Sequence, residues 1–242
     1  MRIQIVTHCY AEQLPQYASF LAVHLESVLN CPDFVDVIIC CTDSDDRVFN
    51  VLAQYTDRFQ SRLRVCFLPL PMLGRRAIGR NINALDTQAD LVWFADVDYF
   101  WRPECFLSLR QWWESSPLPK PVLAYPGTIW TQSNEHVGDA LLETLGDGGE
   151  IDTSDFEPKH YGKAIGGIQI ISGDYCRKFG YCNHTRKVSP LQPGATLFHT
   201  TEDSLVRKMC AKQGKIVEID LPGVYRLRHT RNAYQYPQGR PV

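Results

Sequence analysis

Two aspartates close the apolar run Leu91-Val92-Trp93-Phe94-Ala95-Asp96-Val97-Asp98. Spaced i and i+2 on an extended strand, they project to one face. At the carboxyl end of a parallel strand that face overlooks the crevice where ligands bind. Two hard oxygen ligands there suit Mg²⁺ or Mn²⁺, which in turn grips a diphosphate. A strand running into a polar turn yields the same triplet without a metal. The weight therefore rests on the apolar strand before it and the parallel pattern around it.

Three further clusters carry chemistry. Gly74-Arg75-Arg76-Ala77-Ile78-Gly79-Arg80-Asn81 offers guanidinium groups for phosphate and an amide for a sugar or base. One helical turn separates Arg76 from Arg80, so the two share a face; the plainer alternative is a solvated basic helix start. Thr200-Thr201-Glu202-Asp203 opens a helix. Thr200 with Asp203 forms a capping-box variant, and acids favour helix N-termini. A carboxylate in that position can also take a proton from an attacking hydroxyl, and the two roles are compatible. Tyr225-Arg226-Leu227-Arg228-His229 places a histidine in a basic, aromatic tail from which it could swing onto a metal-bound diphosphate. His136, His160, His184 and His199 read as surface or packing residues.

Alternating elements position these groups. Strand patterns at Ile3–Cys9, Val35–Asp43, Leu63–Leu70 and Asp90–Asp98 alternate with helical ones. Phe20, Leu21, Leu25, Val28 and Leu29 mark one helix face. Val48, Val51, Leu52, Tyr55 and Phe59 mark a second, and Ile78, Ile82 and Leu85 the inward face of a third. Pro103 suits the first turn of a fourth, carrying Phe106, Leu107, Trp112 and Trp113. Such alternation implies an α/β fold: a mostly parallel central sheet with right-handed crossovers and flanking helices. The stretch 127–163, rich in Gly, Asp, Ser and Glu, reads as a mobile excursion with one helical patch, VGDALLETL. Strands follow at Ala164–Ser172 and Lys215–Asp220, the latter after a helix closed by Gly214.

With 242 residues, 44% hydrophobic and a net charge of -2, the chain is too apolar and too nearly neutral for disorder. Its length suits one domain over 1–242, with a nucleotide-binding half to about 115 and an acceptor half from about 120. The charge balance gives no electrostatic case for nucleic acid or an anionic membrane. The opening MRIQIVTHCYAEQ does not read as a signal peptide, and no stretch is apolar enough to span a bilayer. Nine cysteines without a CxxC pair or zinc-type cluster fit free thiols in a reducing cytoplasm. Cys176 and Cys182 read as two unlinked thiols.

In this order, these pieces resemble the GT-A-fold glycosyltransferases, nearest the broad family 2 type, with some likeness to the galactosyltransferase C-terminal region. The resemblance runs from about Ile3 to His229 and is weakest between 127 and 163. It implies a nucleotide-binding loop at Ile5-Val6-Thr7-His8-Cys9-Tyr10, with Thr7, His8 and Tyr10 near the donor. It implies that Asp43, at the end of the second strand, reads the base. The family's Gly…Ala-Arg-Asn segment falls on Gly74 and Gly79-Arg80-Asn81, with Gly79 in the usual Ala position. The family's Asp-x-Asp falls on Asp96-Val97-Asp98. Gly166-Gly167-Ile168-Gln169-Ile170-Ile171-Ser172 looks like the acceptor-side strand. Thr201-Glu202-Asp203 resembles the family's x-Glu-Asp, whose Asp is the base of inverting members. Phe198 and His199 stand where members often carry Trp, and His229 matches a late histidine that completes the metal site.

The resemblance implies an inverting glycosyltransferase with Mn²⁺ or Mg²⁺, a nucleotide-diphosphate sugar donor (UDP by default) and a hydroxyl acceptor such as a glycan, lipid-linked sugar or small molecule. Asp96, Asp98 and His229 hold the metal, Asp203 is the base, and Glu202 hydrogen-bonds acceptor or donor. Two alternatives stay open. A sugar nucleotidyltransferase usually opens with a glycine-rich loop, and THCYAEQ has no glycine. A non-catalytic binding module would lose the base, and Glu202-Asp203 are retained.

Overall fold

The computed structural model describes residues 1–133, 151–183, 185, 188–192, 195 and 202–228. Seven strands form the central sheet: β1 (Ile3–His8), β2 (Val35–Cys41), β3 (Leu63–Phe67), β4 (Leu91–Phe94), β6 (Leu123–Pro126), β9 (Gln169–Ser172) and β10 (Ile216–Ile219). Their spatial order is β10-β6-β9-β4-β1-β2-β3. The pairs β1–β2, β1–β4, β2–β3 and β6–β10 are parallel. β9 runs antiparallel to both β4 and β6. β1 is buried at every position, as expected of a parallel strand covered on both faces. β3 is the open edge, with Phe67 52% exposed.

Helices α1 (Gln16–Leu29), α2 (Asp46–Phe59), α3 (Leu70–Leu73), α4 (Arg76–Leu85), α5 (Pro103–Ser115), α6 (Gly173–Phe179) and α7 (Glu202–Gln213) complete the layers. α2 is capped by Asp45, whose carboxylate accepts from the Val48 and Glu12 amides. α5 opens on Pro103, and Phe106 buries itself against Trp93 and Trp101. α6 ends on Gly180, whose φ of 66° turns the chain in a way other residues resist.

A second sheet of four strands, in the order β5-β11-β7-β8, joins β5 (Tyr99–Trp101), β7 (Thr128–Gln132), β8 (Phe156–His160) and β11 (Val224–Arg226). Part of it corrects the reading of 127–163 as irregular: the two ends of that stretch pair as antiparallel β7 and β8. The VGDALLETL patch lies outside the described residues. The α4 face also differs from the apolar reading. Ile82 and Leu85 are 40% and 39% exposed, while Ala77, Ile78, Arg80, Asn81 and Ala84 turn inward. Two polar residues take the inward positions because they find partners there, as described below.

The antiparallel sense of β9 matters for function. An antiparallel strand begins at the edge where its parallel neighbours end. Gln169 therefore pairs with Phe94, and Gly166 and Gly167 lie beside the residues that follow β4. Among the described residues, no helix is long and apolar enough to cross a membrane.

Candidate active site

The carboxyl edge of β1, β2 and β4 is the floor of the site. Thr7 is fully buried, and its hydroxyl donates to the Ala95 carbonyl at 3.2 Å, tying β1 to the turn after β4. His8 is buried, and among the described residues neither ring nitrogen has a hydrogen-bond partner. Burial first, then the charges of Arg80 and Arg76, hold its proton affinity well below the usual imidazole range, so the ring is neutral. It lies against α4 at Gly79, where a β carbon would stand 2.4 Å from Nε2. Tyr10 is buried against Tyr17, with ring centroids 5.0 Å apart. Asp43 is exposed after β2; Asp45, two residues on, is the buried cap of α2.

Asp96 and Asp98 do not continue the strand. β4 ends at Phe94, and a turn closed by the Tyr99 amide donating to the Asp96 carbonyl at 3.2 Å carries both aspartates. The i, i+2 rule for one strand face therefore does not govern them, and their side chains meet different elements. Asp96 Oδ1 accepts from Arg80 Nη2 at 2.8 Å and from Arg76 Nη1, both on α4. Burial opposes its negative charge, but Arg76, Arg80 and Arg226 together outweigh that and hold the carboxyl well below the usual range. Asp98 is 2% exposed, and its Oδ2 accepts from Arg226 Nε of β11 at 2.9 Å. Asp98 in turn lifts the Arg226 guanidinium well above its ordinary value. Val97 is buried between them.

Hard carboxylate oxygens are what Mg²⁺ and Mn²⁺ take. Among the described residues, Asp96 Oδ2 accepts no hydrogen bond, and the side chain is 23% exposed, so one such oxygen faces the opening. Asp98 is more deeply buried, with Oδ2 held by the Arg226 guanidinium. The residues fit a divalent ion at Asp96. His229 lies outside the described residues, and among those described no three His, Cys, Asp or Glu side chains gather at metal-binding spacing.

Across the crevice, α7 begins with Glu202 and Asp203. Thr200, the proposed cap residue, and Thr201 lie outside the described residues, as do His136, His184 and His199. Glu202 is 1% exposed, with Oε1 4.0 Å from Arg76 Nε. Asp203 Oδ1 lies 3.6 Å from Arg80 Nη1, and the Tyr181 hydroxyl stands 3.3 Å from the same oxygen. Its Oδ2 lies over Gly166, where a β carbon would come within 2.6 Å. Gly167 is held by Trp93 Nε1 donating to its carbonyl at 3.3 Å, and a β carbon there would strike the Tyr99 ring. Both glycines are thus close approaches that a side chain would block.

Arg80 joins the two sides. It is fully buried, and it reaches Asp96 with one nitrogen and Tyr181 and Asp203 with another. Burial disfavours its charge, yet the surrounding oxygens of Tyr181, Asp96 and Asp203 hold it well above the ordinary value. Asn81 looks elsewhere: its Oδ1 accepts from the Tyr181 and Cys182 amides at 3.0 and 3.4 Å, fixing the chain after α6. Sequence reasoning passed over Tyr181, which stands in no recognisable pattern. It also left out Arg226, although that residue lies in the basic tail already singled out.

The chain forms a mostly parallel α/β sheet with carboxylates at its carboxyl edge, and one antiparallel strand brings a second acidic cluster opposite them. The fold is that of the GT-A glycosyltransferases. TarS from S. aureus superposes over 94% of the chain with a TM-score of 0.60 at 11% identity. TarS 1-349 in complex with UDP gives 0.57 at 11% identity, again over 94%. The mannosyltransferase PcManGT from Pyrobaculum calidifontis, in complex with GDP-Man and Mn²⁺, gives 0.51 at 14% identity over 94%. The chain spans 37%, 61% and 56% of those three chains. No family model matches the sequence. No curated protein sequence matches it.

Proposed function

We propose that this chain is a metal-dependent, inverting glycosyltransferase that moves a sugar from a nucleotide diphosphate, UDP favoured, to an acceptor hydroxyl. The observation that carries the reading is the sharing of buried Arg80 between Asp96 and Asp203, one carboxylate from each side of the crevice. The donor diphosphate lies along the β1–β4 edge, where Arg76 and the ends of β1 and β2 face it. Asp96 and Asp98, with His229, would hold Mg²⁺ or Mn²⁺. When bound, the metal supplies positive charge to the leaving diphosphate. Asp203 takes the acceptor proton as the acceptor attacks from the face opposite the leaving group, and Gly166, lacking a side chain, leaves the space that the Asp203 carboxylate occupies. Glu202, beside Arg76, orients rather than deprotonates. The UDP and GDP-Man complexes of the fold neighbours support a nucleotide-sugar donor. Nine free cysteines support a reducing compartment such as the cytoplasm.

Thermal stability against UDP, GDP, CDP and dTDP, each with and without Mn²⁺, tests the donor side. A ligand at 100 times its Kd adds about 2.7 kcal/mol, enough to raise the melting temperature visibly. A rise with one nucleotide, lost on chelation and in Asp98→Ala, is the expected result. A flat panel removes the transferase reading and leaves a glycan-binding module.

A further inference from the structure

Tyr181 stands at the floor of the crevice, fully buried, its ring 4.6 Å from that of Phe94. Its hydroxyl accepts from Arg80 Nη1 at 3.0 Å. The same oxygen lies 2.6 Å from Gln169 Oε1 and 3.3 Å from Asp203 Oδ1. A phenol has one proton to give. With Arg80 donating to the oxygen, that proton goes to Gln169 or to Asp203, never to both at once. Burial pushes the phenol well above its ordinary value, so it remains a donor throughout the working pH range. Gln169 is itself fixed, for it is fully buried and its Nε2 donates to the Asp203 backbone carbonyl at 3.2 Å. Tyr181 and Gln169 thus grip residue 203 by side chain and backbone together.

The grip is one-sided. Both oxygens of Asp203 stand over the bare α carbon of Gly166, but Oδ1 is the one that faces Tyr181 and Arg80. We infer that Tyr181 is a positioning residue for the base. By sharing its proton between Gln169 and Asp203 it pins Oδ1 and leaves Oδ2, above Gly166, as the oxygen that takes the acceptor proton. This rests on Asp203 being the base. The acceptor hydroxyl then approaches Oδ2. Its oxygen bonds to the sugar anomeric carbon as the bond from that carbon to the diphosphate breaks. The leaving oxygen keeps the electron pair, and the acceptor proton passes to Oδ2. Arg76 and Arg80 from α4, Glu202 on α7 and Tyr181 are the charged and titratable groups facing Asp203.

Donor hydrolysis, with water as the acceptor, tests this without knowledge of the natural one. UDP-glucose, UDP-N-acetylglucosamine and GDP-mannose serve as donors, and release of nucleoside diphosphate is followed from about pH 5 to 9. In Tyr181→Phe, kcat should fall about tenfold with the donor KM within about twofold. The acidic limb of the profile should move up, since a hydrogen bond to the ionised carboxylate is lost. In Gln169→Met the hydroxyl proton goes to Asp203 alone, and the limb should move down. A packing defect does not shift the limb in opposite directions in the two variants. Limbs that stay put, or that move together, overturn the positioning role. Asp203→Asn separates the two levels. Hydrolysis at the parent rate in that variant sinks the base and the positioning role with it. A dead Asp203→Asn beside a parent-like Tyr181→Phe sinks the positioning role alone. No release by the unsubstituted protein from any of the three donors overturns both.

Discussion

Asp96 and Asp203 meet the same guanidinium, yet they stand on different ground. Asp96 belongs to a side made of neighbours in sequence: β4, the turn after it and α4 lie within one stretch, and its two arginines come from a single helix. Asp203 belongs to a side assembled from far apart. Gly166 and Gln169 come with β9, Tyr181 follows α6, and Asp203 opens α7. The side proposed for the donor is defined by a local motif. The side proposed for the acceptor is defined by where the chain returns, so changes in its connecting segments would re-aim the proposed base without touching Asp96 and α4. Arg80, fully buried, feels both, and Arg76 beside it meets Asp96 on one side and Glu202 on the other.

Asp203→Asn bears hardest on that contrast. Turnover should fall by as much as about 10⁴-fold, the upper range for a general base, while nucleotide-induced thermal stabilisation stays within about twofold in apparent Kd. A fall in nucleotide affinity of the same size would merge the two sides into one. Arg80→Leu comes next. It leaves Asp96 and Asp203 without their common partner and should cost about 3–4 kcal/mol in denaturant unfolding. The cost should exceed that of removing Arg76, whose side chain is 14% exposed where that of Arg80 is fully buried; equal costs would deny the bridge.

Acid sharpens the contrast from another direction. His24, under β5, donates Nδ1–H to the Tyr99 carbonyl at 2.8 Å, and burial lowers its proton affinity from the usual 6.5 to about 4. The folded state keeps this ring neutral while the unfolded chain protonates first. Stability is therefore lost as pH falls from about 6.5 toward about 4, by about 3 kcal/mol at most. Buried neutral His8 adds in the same direction. Melting temperatures of the parent and His24→Phe between about pH 7 and 4 should show a shallower acid slope in the variant. Parallel slopes would mean that the donor side is not where acid acts.

The strands and first two helices were legible because their apolar residues do one thing only, which is to pack. β1 is buried at all positions, and Val48, Leu52, Tyr55 and Phe59 keep the helical period on α2. The inward face of α4 was misread for a physical reason. Arg80 and Asn81 are polar in composition but are satisfied by Asp96, Tyr181 and the 181–182 amides, while Ile82 and Leu85 are left at the surface. The second sheet escaped because β5 and β11 are three residues each and pair with each other across a long stretch of chain. Asp96 and Asp98 were picked out by type, but their divergence toward α4 and β11 depends on a turn that strand periodicity does not encode. Tyr181 carried no signal, since its role exists only once Gln169, Arg80 and Asp203 surround it.

Gly79 stands where the resembled pattern has Ala, and its contact with His8 gives a reason. A methyl there would meet the imidazole at 2.4 Å, with Cys40 Sγ and Leu68 also 3.0 Å away. Gly79→Ala alone should cost about 1–3 kcal/mol, and pairing it with His8→Ser should recover part of that. The two positions therefore form one unit of inheritance. Lineages that keep alanine at 79 should carry a small residue at 8, and a lineage that acquired histidine at 8 could have done so only after its helix lost the methyl.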